Sequence, residues 1–293
     1  MTTDAFWLNG AFVKPQDACV SPLDRAFLMG DAVYEVVRIH HGTPFRAGAH
    51  YDRMKHGLGE LGIPVPFDGE GFASILLDLA SRNGVRFGLG YLQVSRGAAP
   101  RSHLLPRGIE PTVFGFSNTP PIPTWRDYPD GVKAITLPDQ RWARCDLKTT
   151  MLLPNSLAKQ KAHDAGAFEA IFVGTHGAVR EGTSTAVVAA RGGGLFAHPL
   201  TRRILPSITR MIALEIAAEE GIPVEERRFG VEELLAADEV MLLGTNTDVC
   251  PVVEVDGQTI GLGKPGPMAA HLLEKLTEQM EEETGSEAAA AAS

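Results

Sequence analysis

Arg141-Trp142-Ala143-Arg144-Cys145-Asp146-Leu147-Lys148-Thr149-Thr150 is the stretch whose reading decides both fold and chemistry. An apolar run, Val132 to Leu137, precedes it and a helix-like stretch, Leu152 to His163, follows, so Lys148 falls at a strand-to-helix junction. Two arginines stand just upstream, and like charge nearby favours the neutral, nucleophilic form of a lysine. Downstream, Glu181-Gly182-Thr183-Ser184-Thr185 places an acid in a turn of small hydroxyl residues between two strand-like runs. Taken alone, Lys148 also reads as an ordinary surface lysine, and Glu181 as a solvated turn residue.

Upstream of this stretch, Phe6-Trp7-Leu8, Asn9-Gly10 and Ala11-Phe12-Val13 read as a hairpin, because Asn-Gly supplies the positive φ angles of a type I′ turn. Ala32 to Ile39 alternates as a strand and ends at His41-Gly42. Phe72, Ile75, Leu76 and Leu79 recur at helical spacing before Asn83-Gly84, and Gly90 to Ser95 and Thr112 to Phe116 follow as strands. Pro120-Pro121-Ile122-Pro123 stiffens the chain into an extended connector. Beyond it, strands are expected at Val132 to Leu137, Ala170 to Val173, Ala186 to Ala190 and Val240 to Leu243. Helices are expected at Leu152 to Ala165, Ser207 to Glu220 and Pro267 to Glu282, and Asp256-Gly257 marks another hairpin. The mixture predicts an α/β (mixed α+β) fold of two domains. A small N-terminal domain spans 1–118, a linker 119–125 and a larger domain, which Lys148 opens, 126–284. An alanine-rich frayed tail, 285–293, closes the chain.

The chain has 293 residues, 44% hydrophobic and 22% charged, with a net charge of −9. That acidity argues against a nucleic-acid partner, and basic clusters within it suit small anionic ligands. Cys19, Cys145 and Cys250 form neither a metal-ligand pattern nor a disulfide framework, so no metal is expected and a cytoplasmic location fits. The first residues lack the basic and apolar regions of a signal peptide, and no apolar run is long enough to span a membrane.

A positioned lysine with a remote acid is the minimum equipment for carrying pyridoxal 5′-phosphate as a Schiff base. Its phosphate needs an arginine or the amides of a helix N-terminus, which Ser207-Ile208-Thr209 would supply; Thr245-Asn246-Thr247 offers a second hydroxyl-rich cradle. Ser207 is explained equally well as a helix cap. Arg101 and His103, two positions apart in a loop after a strand, suit a substrate carboxylate or simply an exposed basic loop. Tyr34 shares a strand face with Val36 and Arg38, where core packing is the commoner outcome for a tyrosine. Arg53 lies on a helix whose Met54, Leu58 and Leu61 face a core, and most arginines so placed face solvent.

In this order the segments resemble the fold-type IV pyridoxal-phosphate enzymes, and within them the D-amino acid aminotransferases, from about Leu8 to about Thr277. Arg144-Cys145-Asp146-Leu147-Lys148, Leu157-Ala158-Lys159-Gln160 and Glu169-Ala170-Ile171 leading to Glu181-Gly182 carry the resemblance. Arg101-x-His103 and Tyr34-x-Val36 narrow it to the D-specific branch. It implies transamination between a D-amino acid, such as D-alanine or D-glutamate, and a 2-oxo acid, such as 2-oxoglutarate or pyruvate. It also implies Lys148 as the Schiff-base lysine and proton shuttle, and Glu181 as the partner of the pyridine nitrogen. Arg53, Ile208, Thr209 and Thr245 then hold the phosphate, and Tyr34, Arg101 and His103 trap the α-carboxylate beside Val36 and Arg38. The Arg101/His103 loop is expected to reach into the neighbouring subunit's site, which implies a homodimer. Three positions depart from the family pattern: Ala186 stands for an asparagine, Arg38 for a lysine and Gly244 for a serine. The rival readings are a branched-chain L-amino acid or (R)-amine aminotransferase of the same fold, an aminodeoxychorismate lyase, and an idle pyridoxal-phosphate carrier.

Overall fold

The computed structural model describes residues 4–119 and 129–291, with backbone alone from residue 286 on. Its contacts gather into two units, each described by itself. The first holds the described residues up to 119 together with Leu147–Met151 and the chain from Met280 onward. The expected linker, 119–125, lies outside the described residues except for Thr119.

The first unit begins with β1 (Phe6–Leu8) and β2 (Ala11–Val13). Their connecting residues, Asn9 and Gly10, have φ of 48° and 91°, the backbone that an Asn-Gly pair adopts at low cost. Next come α1 (Arg25–Met29), β3 (Ala32–His40), β4 (Thr43–Pro44), α2 (Ala47–Leu61), α3 (Gly69–Arg82), β5 (Gly88–Ser95) and β6 (Thr112–Asn118). The strands form an antiparallel sheet in the order β2-β1-β6-β5-β3-β4. Val33, Val37, Leu92 and Val94 from the sheet meet Met54, Leu58, Phe72, Leu76 and Leu79 from α2 and α3, so the helices cover one sheet face with the core between. Alternation along β3 sends Val33, Glu35 and Val37 to that face and Tyr34, Val36 and Arg38 to the other.

β4 pairs only with the end of β3, through Ile39 and His40. The edge of β3 near Ala32–Tyr34 would otherwise present unpaired amides and carbonyls, and Leu147–Met151 fills it. Tyr34 N donates to the Lys148 carbonyl at 3.0 Å, Thr150 N donates to the Ala32 carbonyl at 3.2 Å, and Thr149 bridges Val33 antiparallel. The lysine segment therefore belongs with the first unit, where the sequence reading had it open the second. Backbone pairing between segments more than a hundred positions apart leaves no local pattern to read.

The second unit takes residues 129–146 and 152–279. It contains β7 (Val132–Pro138), α4 (Leu153–Asp164), β8 (Glu169–Val173), β9 (Val179–Gly182), β10 (Ala186–Arg191) and β11 (Gly194–Ala197). Then come α5 (Ile208–Glu219), β12 (Val224–Glu226), α6 (Val231–Leu235), β13 (Glu239–Gly244), β14 (Asp248–Val255), β15 (Gln258–Thr259) and the start of α7 (Pro267–Ala291). α4 is the crossover between the parallel pair β7 and β8. The sheet runs β12-β11-β10-β13-β14-β7-β8-β9, and β9 also pairs with β10, so β10, β13, β14, β7, β8 and β9 close into a ring. Ile171, Val187, Ala189, Val240, Leu242 and Val252 line a single buried cluster from these strands.

Two further differences from the sequence reading have plain causes. Glu181 lies in a strand, β9, because its backbone pairs with Ala186 and its side chain is buried against an arginine. The tail read as frayed is helical through Ala291, in keeping with alanine's leading helix propensity. Among the described residues no helix is long and apolar enough to cross a membrane.

Candidate active site

In the first unit, pairing of residues 148–150 with β3 sets Lys148 opposite Tyr34. Its Nζ lies over the tyrosine ring, 4.4 Å from the centroid. Tyr34 is itself stacked on Tyr91, centroids 5.4 Å apart, and the Tyr91 hydroxyl donates to Gln93 at 2.7 Å. Gly30 lies against the Met151 side chain at the end of the same segment. Its φ of 67° suits glycine, and a Cβ there would fall 2.4 Å from Met151 Cγ.

Beneath the sheet lies a charged cluster that the sequence reading missed. Glu35 is fully buried and accepts from Arg53 Nε at 2.7 Å, from the second Arg53 nitrogen at 2.6 Å, and pairs with His50 Nδ1 at 2.7 Å. Burial opposes ionisation of Glu35, yet the Arg53 guanidinium and the His50 bond hold its carboxyl down at about 2. Burial lowers His50 as well, with Glu35 pulling the other way and the charges of Arg53 and Lys148 adding to the lowering. Arg53 is thus fixed in plane by a bidentate pair and is not the solvent-facing arginine its helix position suggests. Arg38 is buried, and Val36, between Tyr34 and Arg38 on the strand's other face, is half-buried.

Arg101 and His103 are exposed in the loop between β5 and β6, and among the described residues no hydrogen bond or ion pair joins them to Lys148 or Tyr34. The root of that loop is firmly built. Asp31 accepts from Arg25 Nε and Arg96 Nε, each at 2.7 Å, and Arg25 also donates to the Ser102 carbonyl at 2.9 Å. Gly97, φ 107°, passes so close to Glu110 that a Cβ would lie 2.0 Å from its carbonyl oxygen.

In the second unit, Glu181 is buried and accepts from Arg141 and, at 2.9 Å, from Leu205 N. Burial pushes its carboxyl up against the pull of Arg141. Arg141 is also bound by Asp139 at 2.8 Å, and Arg144 by Asp146 at 2.9 Å. The two arginines read as neighbours that tune Lys148 are therefore each held by carboxylates of their own unit. Gly182 is required after Glu181, since a Cβ would meet Thr185 Oγ1 at 2.2 Å. The hydroxyl residues of this turn serve another group. Thr183 Oγ1 donates to buried Glu169 at 2.5 Å, and Thr185 Oγ1 at 3.2 Å.

Ser207 caps α5, accepting from Arg210 N at 3.2 Å, and Ile208 and Thr209 follow as the first helical residues. Amides in a first turn lie beyond the helix's own hydrogen bonds and are suited to an anion. Thr245 sits in the turn between β13 and β14. Beside it a Cβ on Gly244 would come 3.1 Å from Thr247 Oγ1, so the glycine keeps space that a serine would take. Ala186 is buried in β10, paired with Glu181.

Each unit by itself offers one observation that suits a phosphorylated pyridine cofactor. Thr150 Oγ1, two residues after Lys148, is buried with no hydrogen-bond partner among the described residues. Glu181 retains acceptor capacity, because a carboxylate offers about four lone-pair sites and two are used.

Residues 32–255 match the model of the amino-transferase class IV family. The D-alanine aminotransferase of Bacillus licheniformis is 41% identical over 276 residues, covering 94% of this chain and 97% of that protein. The D-alanine aminotransferase of Staphylococcus aureus strain MSSA476 is 35% identical over 281 residues, 95% of this chain and 98% of its own. Of solved structures, a T.th. branched-chain amino acid aminotransferase complexed with N-(5′-phosphopyridoxyl)-L-glutamate matches with a TM-score of 0.86 at 28% identity. That match covers 97% of this chain and 95% of the other. The chain belongs to the amino-transferase class IV family.

Proposed function

We propose that this chain is a pyridoxal-phosphate-dependent aminotransferase that exchanges amino and oxo groups between a D-amino acid and a 2-oxo acid. The observation that carries the reading is Lys148, presented on an edge segment of β3 with its Nζ over Tyr34. The choice of D-amino acids is supported by relatives named D-alanine aminotransferase at 35% and 41% identity, above the 28% shared with the branched-chain enzyme structure.

Lys148 would hold the cofactor, Glu181 its pyridine nitrogen, and Ile208, Thr209, Thr245 and Arg53 its phosphate. When bound, pyridoxal phosphate supplies an electron sink for the pair released at the substrate's Cα. Lys148 takes the proton from Cα as general base. Its backbone is pinned by the Tyr34 and Thr150 amides, so its side chain acts from a fixed origin. Glu35 fixes the Arg53 guanidinium in one plane, which spares the entropy of ordering it at the moment an anion binds. Glu181 holds a proton at the pyridine nitrogen. Arg101 and His103 receive the substrate carboxylate together with Tyr34, and the side on which they hold it decides which hand of Cα faces Lys148.

The trap is completed by a second copy. Arg101 and His103 are exposed, and the neighbouring Leu104 and Leu105 are 81% and 57% exposed, an apolar loop tip suited to burial against another chain. Mixing variants tests both parts of the proposal. Lys148→Ala alone is expected to be inactive and Arg101→Ala to bind amino acids weakly. Randomly paired equal mixtures should regain about a quarter of wild-type activity, since half the dimers carry one intact site of two. An active Lys148→Ala protein would overturn the lysine assignment; no recovery on mixing would overturn the shared site.

A further inference from the structure

The turn between β3 and β4 carries a feature that transamination does not use. His41 and Gly42 have φ of 52° and 84°, both positive, as a type I′ turn requires. In a straight strand His40 and His41 would point to opposite faces. The turn brings the two imidazoles together instead, ring centroids 4.6 Å apart at 87°, and Phe87 packs edge-on against both, at 5.2 and 4.9 Å.

Facing them is Glu281 on α7, in the same unit. His41 Nε2 lies 2.9 Å and His40 Nε2 3.4 Å from its two carboxylate oxygens, and the three ligand atoms all fall within 4.8 Å of one another. A second contact orients the His40 ring. Thr284 Oγ1 donates its proton to the Met280 carbonyl at 2.7 Å and so accepts from His40 Nδ1–H at 2.8 Å, which turns Nε2 towards Glu281. Such a fixed second hydrogen bond is what orients ligating histidines in metal sites. The helix end is also anchored independently, because Glu283 accepts from Arg46 N at 2.7 Å and pairs with Arg46 Nε at 3.3 Å.

We propose that His40, His41 and Glu281 bind one divalent transition-metal ion of the zinc class, clipping the end of α7 to the β3–β4 turn. Two imidazoles and one carboxylate select Zn²⁺, Co²⁺ or Ni²⁺ over Mg²⁺ and Ca²⁺, which prefer all-oxygen shells, and over Cu⁺, which prefers sulfur. Glu281 is half exposed, so water completes the coordination.

The test is equilibrium dialysis of the chelator-stripped, full-length protein against Zn²⁺, in a Cys19→Ser background because Cys19 is exposed. One ion per chain is expected. Binding should weaken by at least about tenfold in His41→Ala and Glu281→Gln, and by about 10–100-fold in Thr284→Val, which leaves every ligand in place. A Zn²⁺-dependent rise in melting temperature should appear in the parent and vanish in Glu281→Gln. Absence of stoichiometric binding in the parent would overturn the proposal. So would equal binding by His41→Ala and Glu281→Gln, each verified as folded by circular dichroism.

Discussion

Lys148 takes its place from a backbone ladder, and Glu35 takes its place from the Arg53 guanidinium and the His50 ring. The lysine itself was legible because it stands in a motif before a helix-like stretch, whereas Glu35, in phase with Val33 and Val37, carries no local sign of its distant partners. Its burial follows from its phase. Positions 33, 35 and 37 all face α2, and there Arg53 and His50 meet the carboxylate. Breaking such a buried pair costs about 3–5 kcal/mol, because the partner charge is left uncompensated. Glu35→Gln is therefore expected to lower unfolding free energy near neutral pH by that amount, measured by urea denaturation. The acid limb follows from the same group. The carboxyl titrates at about 2 in the folded chain against an ordinary 4.5. Its stabilisation is thus full above pH 4.5 and is lost as pH falls towards about 2. The glutamine variant should lack that part of the pH dependence. Equal stability of the two proteins at neutral pH would contradict the account.

Among the elements, those with a local signature were legible. The Asn9-Gly10 and Asp256-Gly257 turns adopt positive φ at both positions, as read from their residues, and α5 starts at the Ser207 cap. Elements defined by distant partners were not. β9 is short, carries two charged residues and exists through β8 and β10; the 147–151 segment exists through β3. Gly30 links this second case to catalysis. Alanine there would carry a φ of 67° and a Cβ 2.4 Å from Met151 Cγ, pushing the lysine segment off its strand edge. A left-handed residue with a Cβ costs roughly 1–2 kcal/mol before the clash is counted. Gly30→Ala should therefore speed amide hydrogen exchange at Tyr34 and Thr150, the two donors of that pairing, more than at β5, and lower turnover. Unchanged exchange at both amides would show that the segment does not depend on the close approach.

At the scale of the whole molecule, the residues given roles in the proposal fall in both units: Lys148, Tyr34, Arg53, Arg101 and His103 in the first, Glu181, Ile208, Thr209 and Thr245 in the second. Lys148 and Glu181 stand in motifs, whereas the Glu35–His50 cluster and Thr150 have none. The departures at Arg38 and Gly244 fall at a buried strand position and a tight turn, so packing constrains both. Family membership leaves the handedness of the substrate as the central claim. It is tested most directly by mixing the purified, cofactor-loaded protein with D-alanine or L-alanine, without an acceptor acid, and measuring the pyruvate formed in a single turnover. About one pyruvate per active site from D-alanine, with far less from L-alanine and none from Lys148→Ala, is the predicted result. Faster turnover of the L-enantiomer, or pyruvate from Lys148→Ala, would contradict the account.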